Sequence, residues 1–141
     1  MPRRTDYVDA AVRWHRDLQL LPSDASLEST DHLTGLAAEC VCKALLAALG
    51  APESPDGGLE PRRLLVHLPF VLDELLCMSA GRNAVGLVAR LPDSNPFRDW
   101  TIDDRYVADG LLTDKDCAAR RDSLDQLLSA LQTAALDGKL S

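Results

Sequence analysis

Residues Asp31 to Gly50, DHLTGLAAECVCKALLAALG, constrain this chain more than any other stretch. Leu33, Leu36, Ala37, Cys40, Val41, Ala44, Leu45 and Ala48 recur at helical spacing. Thr30 or Asp31 can cap the start, and Gly50 supplies a left-handed stop ahead of Pro52. Glu39 and Lys43 form an i,i+4 pair in the favourable order. Few faces of so apolar a helix can be left in water, so it belongs at the centre of a bundle.

The other segments supply its neighbours. Tyr7 to Leu21 reads as a helix with Val8, Ala11, Val12, His15 and Leu18 inward, broken by Pro22. After Gly50 comes APESPDGGLEPRR, whose Pro, Gly and acids predict an exposed loop. Helical spacing returns over Leu64 to Ala80 through Leu65, Leu68, Leu72, Leu75 and Leu76. Pro69 fits a first turn there, so the helix proper is expected to begin near His67. Gly81 is expected to kink it before a continuation over Asn83 to Leu91. LPDSNPFRDW is a second loop, and Thr101 to Gly110 is ambiguous between a short helix and irregular chain. Thr113-Asp-Lys-Asp116 resembles a capping box and opens a last helix through Leu124, Leu127, Leu128, Leu131 and Ala135. Apolar residues are 46% of the chain but aromatics only 4%, so Leu and Ala must do the packing. The expectation is one all-α domain over residues 1–141, an antiparallel bundle of four to five helices.

A net charge of −7 argues against a general nucleic-acid binder, which needs a basic surface to neutralise phosphates. Local basic sites remain open: Arg3, Arg4, Arg13 and Arg16 cluster at the start, and Arg62 with Arg63 form a second patch. Cys40 and Cys42 stand two apart on a helix and point to opposite sides, while Cys77 and Cys117 stand alone. Without CxxC or Cys/His ligand spacing, four buried free thiols in a reducing, cytoplasmic setting are expected, with no metal and no cofactor. The longest uncharged run, Gln126 to Leu136, is too short to span a bilayer, and MPRRTDYVDA lacks the apolar core of a signal peptide.

Two stretches could carry function. RRLLVH places Arg62 five residues before His67. On one helix they would stand about 140° apart, but with Arg62 ahead of the helix start they could converge. An arginine beside a histidine can stabilise charge on phosphorus while the imidazole moves a proton. The plainer reading is a packed His67 and a solvated Arg62. The second stretch, FRDWTIDDRY, holds Phe97, Trp100 and Tyr106, three of the six aromatics. It reads either as a loop pinned by Phe97 and Trp100, or as a groove rim on which Trp100, Arg105 and Tyr106 meet phosphates or bases. His15 and His32 read as structural residues.

Together these residues resemble the HEPN family of small helical bundles. The likeness rests on GLAAECVCKALLAALG, where Ala37, Ala38, Glu39, Lys43, Ala44, Leu45 and Leu46 occupy the positions of an Ala-Ala-Glu-x-x-x-Lys-Ala-Leu-Leu helix. It extends to His67-Leu68 at the next helix and to DWTIDDRY ahead of the last one. The resemblance implies a homodimer, frequent pairing with a nucleotidyltransferase or antitoxin partner, and association with RNA or a nucleotide. Active members are metal-independent endoribonucleases that use an Arg-x4-6-His motif. Here only Arg62 to His67 has that form, earlier in the chain than usual, and Arg82-Asn83 leads to Leu87 where a histidine would stand. The expected function is therefore a noncatalytic binding and dimerisation module. The rivals are a ribonuclease with Arg62 as phosphate clamp and His67 as general acid/base, and a structural subunit of a partner enzyme.

Overall fold

The computed structural model describes residues 3–80, 90–106, 109–136 and 138, except for the side chain of Arg105. Within them the chain is all-α. Four helices are described: α1 (Tyr7–Gln19), α2 (Leu27–Ala48), α3 (Phe70–Ala80) and α4 (Asp114–Leu136). Short 3-10 helices cover Arg62–Leu64 and Ile102–Tyr106. No described helix is long and apolar enough to cross a membrane. The expected kink at Gly81, and the helix over Asn83–Leu91 up to Ala89, lie outside the described residues.

α2 is the hub. α1, α3, α4 and the second 3-10 helix all pack on it. Of its residues only Ser29 is exposed, and Ala37, Ala38, Val41, Cys42, Leu45 and Leu46 are fully enclosed. It starts four residues earlier than the sequence reading placed it. Ser26 is the N-cap, its Oγ accepting the Ser29 N–H at 3.1 Å. The chain is already helical from Leu27, and two threonine hydroxyls along it bond back to the helix backbone. Thr30 Oγ1 donates to the Ser26 carbonyl at 3.0 Å, and Thr34 Oγ1 to that of Thr30 at 2.8 Å. The far end follows the expectation: Gly50 has φ 101°, and Ala51 N–H reaches back to the Leu46 carbonyl at 3.0 Å.

In α1, Asp6 caps the start by accepting the Asp9 N–H. Ala11 is completely buried against the core, which turns Val12, about 100° further round, into solvent. Val12 was expected inward and is 53% exposed. The loop between Gly50 and Arg62 is less open than its composition suggests. Pro52, Glu53, Pro55, Asp56 and Glu60 are exposed, but Ala51, Gly58 and Leu59 are buried. An antiparallel bridge joins Glu53 to Leu59, Thr5 N–H donates to the Asp56 carbonyl at 2.7 Å, and Leu59 N–H donates to Tyr7 Oη at 3.1 Å. Gly57 sits at φ 91°, where a Cβ would fall 2.2 Å from the Thr5 carbonyl oxygen. The loop is thereby clamped to the start of α1.

α3 begins at Phe70, not near His67. Proline lacks an N–H and disfavours helical geometry in the residue before it, so Leu68 cannot lie in a helix leading into Pro69. The Leu68–Pro69 bond is cis. The loop after Leu91 is pinned as expected, with Phe97 and Trp100 completely buried. Trp100 lies over Gly35 of α2, where even a methyl group would come within 2.1 Å of the ring. In α4, Thr113 Oγ1 accepts the Asp116 N–H at 3.2 Å, which is the expected cap. Cysteines correct one expectation: Cys42 and Cys117 are buried and Cys40 half-buried, but Cys77 is exposed.

Candidate functional site

Glu39 is an acid on the buried side of α2, 8% exposed, and its carboxylate gathers donors from two directions. His67 Nδ1 lies 3.0 Å from both carboxylate oxygens. Oε1 also accepts the Leu68 backbone N–H at 3.0 Å, and Lys43 Nζ stands 3.7 Å from Oε2. An ionised carboxylate can only accept, so the proton on Nδ1 faces Glu39 and Nε2 is the nitrogen with which the ring can meet a ligand. The His67 side chain is 57% exposed. Lys43 in turn lies 5.9 Å over the Tyr7 ring. This cluster joins α1, α2 and the segment ahead of α3.

That segment, Arg62–Phe70, is anchored by Leu64 and Leu68, both nearly inaccessible. Around the anchors it turns outward. Arg62, Arg63, Leu65, His67 and Phe70 are all exposed, Leu65 at 50% and Phe70 at 63%. Arg62 lies in the 3-10 turn, and its side chain has no ion pair or hydrogen bond among the described residues. The structure thus places Arg62 ahead of the helix start, the arrangement that allows convergence with His67, without bonding the two. On the α1 side of Glu39 opens a cavity of about 360 Å³ lined by Arg4, Tyr7, Arg13, Cys40 and Lys43. Burial and the adjacent Glu39 push the Cys40 thiol up to about 11, so it supplies no thiolate nucleophile there at neutral pH.

Trp100, Arg105 and Tyr106 lie in the loop after Leu91 and in the 3-10 turn that follows it. Trp100 has no exposed surface, so no ligand can reach its ring in this conformation. Its indole N–H donates to the Asp31 carbonyl at 3.2 Å, and His32 stacks on it at 5.6 Å. Tyr106 is 77% exposed at the end of the Ile102–Tyr106 turn, which also contains Arg105. His15 is half-buried on α1.

Two features escaped the sequence reading. Glu39–His67 joins residues 28 apart, and its advance signal was an acid within the apolar run from Leu36 to Cys42. Asp31, offered beside Thr30 as a cap, is inside α2 and paired with Arg120 of α4 at 2.7 Å, with the two side chains 1% and 5% exposed. Arg120 Nε also donates to the Pro96 carbonyl at 3.2 Å. Burial raises the Asp31 carboxyl above its usual range, outweighing the opposing pull of Arg120. No spacing rule links residues 89 apart.

The chain matches no known protein family, no curated protein and no solved structure.

Proposed function

We propose that this chain is a HEPN-like bundle with antiparallel helix neighbours, which pairs with a second copy and binds RNA without chemistry of its own. The observation that carries the reading is the exposed Arg62–Phe70 segment, with an imidazole held by Glu39 at its centre. Arg62 and Arg63 offer charge to a phosphate backbone, and Phe70 offers a ring on which a base can stack. In a dimer of the kind the resemblance implies, Leu65 and Phe70 also offer apolar surface to the second copy, with the arginines and His67 lining the seam. A partner protein such as a nucleotidyltransferase is the alternative occupant of the same face.

One observation favours a second reading, the metal-independent ribonuclease. A carboxylate that fixes Nδ1 of a histidine leaves Nε2 oriented for proton transfer, and Glu39 does this for His67. Arg62 would then hold the phosphate.

Both readings meet in one experiment. Labelled single-stranded RNA is titrated with the purified protein in EDTA, and binding and cleavage are followed together for the wild type, His67→Ala, and the double variant Arg62→Ala/Arg63→Ala. The binding module is expected to bind saturably without cleaving. The double variant should then flatten the slope of log affinity against log salt by about 1.4 for two lost phosphate contacts. Cleavage by the wild type that disappears in His67→Ala would replace this reading with the ribonuclease. Neither binding nor cleavage by folded protein would leave the protein partner.

A further inference from the structure

Glu39 serves two places at once. It holds His67 on one side, and on the other it lines the cavity of about 360 Å³ beside α1. Three cations line the same cavity: Arg4 ahead of α1, Arg13 on α1 and Lys43 on α2. Three acids, Asp6, Asp9 and Glu39, stand among them, so the balance of charge assigns no ligand. The two sets differ in how much of their bonding is already used. Glu39 accepts the Leu68 N–H and meets His67, and Asp6 accepts the Asp9 N–H. The side chains of Arg4 and Arg13 make no ion pair or hydrogen bond among the described residues, and Arg13 lies 5.6 Å over the Trp14 ring. Lys43 is 13% exposed, and its partner oxygen on Glu39 is 3.7 Å away, beyond hydrogen-bond reach. Its ammonium carries three donors and no acceptor capacity.

Donors left over on three cations call for an anion rich in acceptor oxygens. A carboxylate offers two oxygens in one plane, whereas a phosphate monoester offers three, spread to meet donors from α1, from α2 and from the chain ahead of α1. A phosphate inside a strand is a diester with two free oxygens, and its chain must both enter and leave. A recess between two helices suits a group that ends there. We propose that this cavity binds a phosphate monoester, held by Lys43 from α2 and by Arg4 and Arg13 at the rim. Asp9 is exposed on the same wall and accepts hydroxyls from the carbon part of the ester. The space is at the small end of the range for organic ligands. If RNA lies on the Arg62–Phe70 segment, as proposed above, the shared Glu39 wall makes the end of that strand the source of the monoester. A free mononucleotide is the other source of the same group.

The test is calorimetric titration of the full chain in EDTA at one fixed ionic strength. The probes are adenosine 5′-monophosphate against adenosine, and one short single-stranded RNA with a 5′-phosphate, with a 3′-phosphate and with neither. The phosphate is expected to improve affinity about tenfold in at least one of these sets. A gain among the RNAs identifies the strand end, and a gain with the nucleotide alone identifies the free ester. Lys43→Gln should erase the gain. Arg16→Gln, exposed on α1 and not on the cavity wall, should keep it. If circular dichroism shows that Lys43→Gln does not fold, Arg13→Gln, at an exposed position, decides. No gain in either set overturns the proposal, and so does a gain that survives Lys43→Gln. Unphosphorylated RNA that still binds in those cases leaves the RNA reading standing without the cavity.

Discussion

The thiols show how far a single residue's setting governs its chemistry. Burial pushes Cys40 and Cys117 up to about 11 and moves Cys42 further in the same direction. Cys77 alone of the four is exposed. One thiol per chain should therefore react quickly with a chromogenic disulfide reagent at neutral pH, and four should react in denaturant. Cys77→Ser should abolish the fast phase. The same shifts carry a pH dependence of known sign. In the unfolded chain the thiols ionise near 9, whereas in the fold they keep their protons. Their contribution to stability is thus complete below about pH 9 and lost as pH rises through about 11. Urea midpoints measured from pH 8 to 11 should fall over that window, and less so in a Cys40→Ala variant. The sequence was enough to dismiss metal-ligand spacing for these residues. It could not distinguish Cys77 from the others, because all four sit in helical segments and only the packing decides which face is covered.

At the level of elements, the legible features were those written in local chemistry. The Gly50 stop, the Thr113 cap and the apolar run of α2 all follow from near neighbours along the chain. The start of α2 was misplaced because Ser26, Ser29, Thr30 and Asp31 are all competent caps, and local chemistry cannot rank them. Packing can: extending the helix back to Leu27 buries Asp31 beside Arg120 and places Gly35 under Trp100. Ser26→Ala should accordingly cost about 1 kcal/mol in urea unfolding. Thr30→Ala, whose hydroxyl only bonds back to the Ser26 carbonyl, should cost less. A larger loss for Thr30 would return the start of the helix to where the sequence placed it. The start of α3 was misplaced for a different reason. Leucine spacing suggested a helix through Leu65 and Leu68, but Pro69 interrupts it and Glu39 captures the Leu68 N–H.

For the whole molecule, a dimer was expected from the resemblance, and the apolar surface of α2 is consumed inside the fold. The dimer proposal now rests on what remains outside, above all Leu65 and Phe70. Phe70→Asp removes apolar surface worth about 1.5–3 kcal/mol if it is buried between copies. Sedimentation at micromolar concentration should show a dimer for the wild type and a monomer for this variant. The urea midpoint of the monomer unit should change little, because Phe70 contributes little to the core. A wild-type monomer would rule the pairing out. The candidate site was half legible: Arg62 and His67 were named from their spacing, but not the acid that orients the histidine. Carboxylate and imidazole come from different elements, and only the fold makes them neighbours.

The hub arrangement has a consequence for how the molecule comes apart. Each outer helix is fastened chiefly to α2, so any one of them can lift away while the others keep their contacts. Amide hydrogen exchange under native conditions should then fall into separate classes. The amides of α2 should exchange only through global unfolding, and those of α1, α3 and α4 through smaller openings with free energies of their own. Glu39 and Asp31 both belong to α2, so the outer helices can open one at a time while the two acids keep the same rigid support.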